Sequence, residues 1–152
     1  MRSIVALTAV AFTAACASED ANEITEAIRI VEETSLTAPD AAVGDSLGVA
    51  VAVTADGRRA IVGVYPDDTA AGENAGSARI FLRTGTSWAQ EAVLVAPDGA
   101  ANDFFGISVA ISADGSRAVI GASYDATVPA NDAGSARVFR RSGTAWSQEA
   151  TL

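Results

Sequence analysis

Short runs of apolar residues alternate with Gly- and Asp-bearing turns along most of the chain. From Leu47 to Thr54 the residues are apolar on both faces, as expected of a strand buried on both sides. Ala55 to Gly57 read "ADG", a tight hairpin turn in which Gly supplies positive φ at no steric cost. A second strand is predicted over Arg59 to Tyr65, and after it comes the polar loop "PDDTAAGENAG". The third strand, Ser77 to Arg83, sets Ala78, Ile80 and Leu82 on one face and Arg79, Phe81 and Arg83 on the other. "TGT" turns into a fourth strand from Trp88 to Val95, and "APDGAAND" then crosses to a second unit.

The second unit repeats the order of the first. Strands are predicted over Phe105 to Ser112, Arg117 to Tyr124, Ser135 to Arg141 and from Trp146 onward, joined by "ADG", "DATVPANDAG" and "SGT". The two copies align without a gap at an offset of 58 residues, so that Leu36 falls on Leu94 and Leu94 on Leu152. The register keeps Pro39/Pro97, Gly76/Gly134 and Trp88/Trp146 together, which chance similarity in an Ala- and Gly-rich chain does not produce. Four antiparallel strands per unit predict the blade of a β-propeller. The fold class is therefore all-β: two four-stranded antiparallel blades of a partial propeller. The expected divisions are a signal peptide over 1–15, an acidic linker over 16–29, blade 1 over 37–94 and blade 2 over 95–152. Ile30 to Leu36, "IVEETSL", aligns with "WAQEAVL" and is expected to be the last strand of a preceding blade.

The repeats resemble FG-GAP repeats, the blades of integrin α-chain-like propellers, in their bacterial form. "SLG" (Ser46 to Gly48) and "FFG" (Phe104 to Gly106) stand at the family's FG, while "IVGVYPDD" and "VIGASYDA" stand at its GAP. The tail "GSARIF…GTSW" is typical of the bacterial variety. Leu47 replaces the Phe in the first copy, and neither copy keeps a clean GAP. The resemblance runs from about residue 36 to Leu152. Because two blades do not close a ring, which takes about four to eight, the chain is expected to be a fragment of a longer propeller. A truncated gene product and a protomer that completes its ring by oligomerising are the alternatives. The missing blades then come in cis or by self-association.

Charge and composition narrow the chemistry. The apolar share of 49% rules out a solvated disordered chain. A net charge of −9 repels phosphate, so nucleic acid is not an expected partner. The absence of His removes Ser-His-Asp and Cys-His nucleophiles and His-ligated metal sites. The resemblance implies calcium, which integrin-type blades hold in a D-x-D-x-D-G-x-x-D loop. Here only Asp56 and Asp114 occupy that pattern, and one carboxylate reads as an Asp-Gly turn. No metal site or cofactor is expected, although weak calcium binding by the longer acidic loops stays open.

The loops are the candidate ligand-binding elements, with Asp67, Asp68 and Glu73 in one copy and Asp125 and Asp132 in the other. Asp40, Asp45, Asp98 and Asp103 recur in the crossover loops and read as turn-capping residues. Recurrence favours a structural role, because a specific site is usually built once. For the same reason no pair of carboxylates stands out as glycosidase machinery, and the chain is not expected to be an enzyme. Arg79/Arg137 and Arg83/Arg141 read as solvated positions paired with Glu91 or Glu149 across the sheet. Trp88 and Trp146 read as blade packing.

The first residues carry Arg2, then an apolar run from Ile4 to Ala15. That run is too short to span a bilayer, which needs about 20 residues, and has the grammar of a signal peptide. "FTAAC" resembles a bacterial lipobox, which implies lipidation of Cys16; ordinary cleavage at "ACA" is the rival. The expected localisation is therefore the bacterial outer membrane or cell surface, with a secreted or periplasmic protein as the alternative. The expected role is a surface interaction or adhesion module that binds a protein or glycan, with membrane attachment through the lipid. A polysaccharide hydrolase or lyase on the same scaffold, or a structural spacer, are the other classes.

Overall fold

The computed structural model describes residues 34–126 and 133–152. Blade 1 comprises β1 (Leu47–Val53), β2 (Arg59–Val64), β3 (Ser77–Thr84) and β4 (Ser87–Leu94). Blade 2 comprises β5 (Phe105–Ile111), β6 (Arg117–Ala122), β7 (Ser135–Ser142) and β8 (Ala145–Thr151). Each blade is a separate four-stranded antiparallel meander in sequence order. No helix occurs among the described residues. The predicted strands match to within a residue or two. The one sizeable difference is at Tyr124, where β6 stops at Ala122 and the chain turns over Ser123 and Tyr124.

The duplication extends to irregularities. The β1–β2 pairing shifts register between Leu47 and Val51, as β5–β6 does between Phe105 and Ser108. The β3–β4 pairing shifts between Ile80 and Phe81, as β7–β8 does between Val138 and Phe139. Such bulges sharpen the local twist, and a twisted wedge lets sheets fan around an axis. Accordingly β5 packs on β1 and β2 of the first blade, whereas β4 and β8 barely touch.

One apolar core fills the space between the blades. Ile61, Ala78, Ile80 and Leu94 enter it from blade 1, and Phe105, Ala118, Ile120 and Phe139 from blade 2. Phe105 and Phe139 meet edge to face at 6.1 Å. A smaller core on the other side of blade 1 contains Leu36, Ala60, Val62 and Phe81. These four are the matches of Leu94, Ala118, Ile120 and Phe139, so the same pattern of residues lines the same face of both blades. Of the segment expected to be the last strand of a preceding blade, Ile30 to Glu33 lie outside the described residues, and Thr34 to Leu36 form no strand, although Leu36 is buried in the smaller core.

Glycines let the blades approach. Gly76 forms a parallel bridge with Phe105. A Cβ on Gly63 would meet the Gly106 carbonyl, and one on Gly106 would meet the Ser77 carbonyl. Gly106 also adopts φ +96°, which few side chains tolerate.

Candidate binding face at the loop end

The β2–β3 loops and the crossover loop lie at one end of the blades, opposite the hairpin turns. At the turn end the two "ADG" segments are closed by their own hydrogen bonds. The Thr54 hydroxyl donates to Asp56 Oδ1 at 2.5 Å, and the Arg58 amide at 3.0 Å. Ser112 and Ser116 do the same for Asp114, at 2.6 and 3.0 Å. These bonds hold the Asp56 carboxyl below its ordinary value and bring Asp114 down to about 2.

At the loop end each blade buries an arginine. Arg79 and Arg137 retain only 2% and 1% of their exposure. Arg79 Nη1 lies 2.7 Å from Asp40, and Nη2 lies 3.4 Å from Asp67. Arg137 makes the matching pairs with Asp98 and Asp125, both at 2.5 Å. The hydroxyls of Ser77 and Ser135 donate to Asp67 and Asp125. The arginines are thus not the solvated residues expected from the strand's alternation. Arg79 stands opposite Val62 and one pleat from Phe81, on a buried face. Two aspartates arriving from loops compensate its charge there. Glu91 instead takes a bidentate bond from Arg59, at 2.9 Å for each contact, and Glu149 takes one from Arg117 at 2.8 and 3.1 Å. Arg141 bonds the carbonyls of Gly115 and Gly143, both at 2.7 Å.

Asp67 and Asp125 are therefore internal residues that pin the loops to β3 and β7. Burial pushes the Asp67 carboxyl up against the opposing pull of Ser77 and Arg79. Asp45 and Asp103 cap turns by accepting the Ala42 and Ala100 amides, both at 2.6 Å. Asp68 and Glu73 stay exposed at the rim, where Asp68 accepts the Asn74 amide at 2.8 Å. Asp132 and Cys16 lie outside the described residues. Among the described residues no group of three or more His, Cys, Asp or Glu stands close enough to hold a metal ion. Trp88 and Trp146 pack against the two cores.

The structure adds an aromatic cluster that strand patterning does not assemble. Phe104, in the crossover loop, lies 4.4 Å from Tyr65 and 4.9 Å from Tyr124, at interplanar angles of 55° and 69°. Tyr65 and Phe104 are half-buried and Tyr124 is exposed. Phe104 takes φ +61°, a strained conformation for a bulky side chain. Asn74 and Asn102 beside it also have positive φ, and the Asn74 side-chain amide donates to Asn102 Oδ1 at 3.1 Å. None of the three rings is repeated. Phe104 aligns with Ser46, Tyr65 with Ser123, and Tyr124 with Pro66. The signal for the cluster is that mismatch: aromatic residues at places where otherwise matching copies disagree. The cluster draws on both blades, and backbone hydrogen bonds from the Phe104 amide to the Asn74 carbonyl and from the Asn102 amide to the Glu73 carbonyl join it to the loop that bears the exposed Asp68 and Glu73.

A search of curated proteins finds no match to the chain. A family model described as FG-GAP repeat matches residues 30–81 and again 88–139. Its two matches begin 58 residues apart, the offset of the internal duplication. The second match starts inside β4 and runs into β7, so it straddles the two blades, while the first starts outside the described residues and ends inside β3. Matched over more than half its length, with the motif glycines at the contact between blades, the chain belongs to the FG-GAP repeat family.

Proposed function

We propose that the chain is an exported, lipid-anchored surface module of FG-GAP propeller blades that binds a protein or glycan ligand at its loop end. One observation carries the reading. The Tyr65–Phe104–Tyr124 cluster is strained and partly exposed, and it is built at positions where the blades differ. Structural devices recur in both copies, as the buried arginines do. A group made once at the junction of two blades, with backbone strain held in place around it, has the character of a site. Ring faces joined to a loop that bears exposed carboxylates suit recognition by stacking and hydrogen bonding. The apolar run before Cys16 supports export and anchoring there, at the bacterial outer membrane or cell surface.

The test joins the two claims. Cells expressing the chain are labelled with palmitate, and the purified protein is applied to glycan and extracellular-protein arrays. Label should enter the wild type but not Cys16→Ala. Binding to an array member should fall at least tenfold in Phe104→Ser, which installs the residue that blade 1 carries at that place. Binding unchanged in Phe104→Ser, or turnover of a polysaccharide without stable binding, would sink the reading.

A further inference from the structure

We infer that copies of this chain associate head to tail. The outward face of blade 2 in one copy seats on the open face of blade 1 in the next, repeating the packing of the two blades within the chain. This association uses other residues than the loop-end site and stands independently of it.

The two blades present equivalent faces. On β1, Val49, Val51 and Val53 remain 46%, 42% and 52% exposed. Val51 and Val53 pair with Val62 and Ala60 of the smaller core, so they belong to that face. Their matches in blade 2, Val109 and Ile111, pack against the core between the blades. The residues are of one kind in both places; the difference is that blade 1 lies over one set, whereas on the other face Leu36 covers Ala60, Val62 and Phe81 and leaves the β1 valines at the surface. The outward side of blade 2 shows the converse. Leu94 is 3% exposed between the blades, while its match Leu152 is 74% exposed. Ile61 and Ile80 are fully buried, and their matches Val119 and Val138 are only half-buried.

Polar groups obey the same rule. In the Arg59–Glu91 pair the side chains are 16% and 4% exposed, because blade 2 covers them. In the matching Arg117–Glu149 pair they are 53% and 34% exposed. A Cβ on Gly63 would meet the next blade's backbone, whereas one on Gly121 would meet only Ser108 of its own sheet. Blade 2 thus carries outward a nearly complete copy of the surface that blade 1 presents to it. Blade 1 carries outward a copy of the surface that receives it. Two different patches that fit each other across copies define a heterologous interface, which closes into a ring where the rotation permits. On blade 1, Leu36 occupies the place that Leu94 holds on blade 2, and the arriving Leu152 displaces it. The exposed Val51 and Val53 on the edge strand β1 are also the kind of apolar surface that association removes from water.

The test is sedimentation of the full chain, with Cys16→Ser to exclude disulfide dimers, across the micromolar range. Val53→Asp alters the open face, and Ala110→Asp alters the outward face at the exposed match of Ala52. Both positions are exposed, so circular dichroism should stay that of the wild type. The parent protein should show a mass that rises with concentration beyond one copy, and each variant alone should remain a single copy. An equimolar mixture of the two should form a one-to-one dimer and stop there, since one good interface survives between them. A parent that stays a single copy throughout, or variants that associate as well as the parent, would overturn the inference. So would a mixture that fails to pair.

Discussion

Gly63 has no side chain because the Gly106 carbonyl occupies the space where one would stand. Its own φ is unremarkable, so the constraint is contact with the next blade and nothing local. Its match, Gly121, faces only the Ser108 hydroxyl, which can rotate away. Gly63→Ala should therefore cost about 3 kcal/mol, because backbone must move. Gly121→Ala should fall within about 1 kcal/mol of the parent, with steric cost offset by the lower strand entropy of alanine. Urea denaturation in dilute solution measures both; equal losses would show that the contact between blades is not what selects glycine. The buried arginines give the same lesson with the opposite legibility. "SARIF" and "SARVF" announce an alternating strand, and alternation alone sends Arg79 to water. Burial came from Asp40 and Asp67, 39 and 12 positions away in chain order from Arg79, folding over it. A charge buried with two carboxylates is tolerable where a lone one is not, and no local pattern encodes the arrival of the second and third groups.

At the scale of elements the strands were legible because period-two patterning and Asp-Gly turns are local. β1 and β5 read alike as doubly apolar strands, yet they have different environments. β5 lies between β6 and the first blade, whereas β1 keeps three valines at the surface. Hydrogen exchange should reflect this. Amides of β2 and β6, interior in their sheets, should protect most strongly. The outer strand β8, with every second residue exposed, should exchange fastest among the strands. Mass spectrometry of exchanged peptides decides it, and protection of β8 equal to that of β6 would contradict this ordering. The loops were legible as loops, and their acidic residues as candidates. Their division of labour was not, since Asp67 points inward and Asp68 outward from adjacent positions.

For the whole molecule, acid is the informative stress. The Arg59 bond holds Glu91 below the ordinary glutamate value of 4.5, and the Arg117 bond does so for Glu149. Thr54 and Ser112 lower Asp56 and Asp114. Each of these carboxyls binds its proton less readily when folded than when unfolded. The stability they contribute is therefore complete above the ordinary values of 3.8 and 4.5 and lost as pH falls through the folded ones, down to about 2 for Asp114. Asp67 has the opposite sign. Burial raises it, so the stability linked to its protonated form is present at low pH and lost as pH rises through its folded value. Four carboxyls are thus shifted down and one up, and the expected acid response follows the four. The diffuse relief of a net charge of −9 is screened beyond about 10 Å at moderate salt. The melting temperature should hold from neutral pH to about 4.5 and then fall steadily toward pH 2. A melting temperature that holds or rises across that interval would show that Asp67 and the net charge dominate.

Short-range pattern, or the copy of that pattern, was enough to specify the four-strand unit, its repetition at 58 residues, the turns and the family. Packing in three dimensions was needed to settle which apolar faces are covered, which aspartates serve a buried arginine, and that Tyr65, Phe104 and Tyr124 meet. The physical reason is one of range. Strand and turn preferences act between neighbours, whereas burial, charge compensation and ring contacts depend on segments brought together when one blade packs on another.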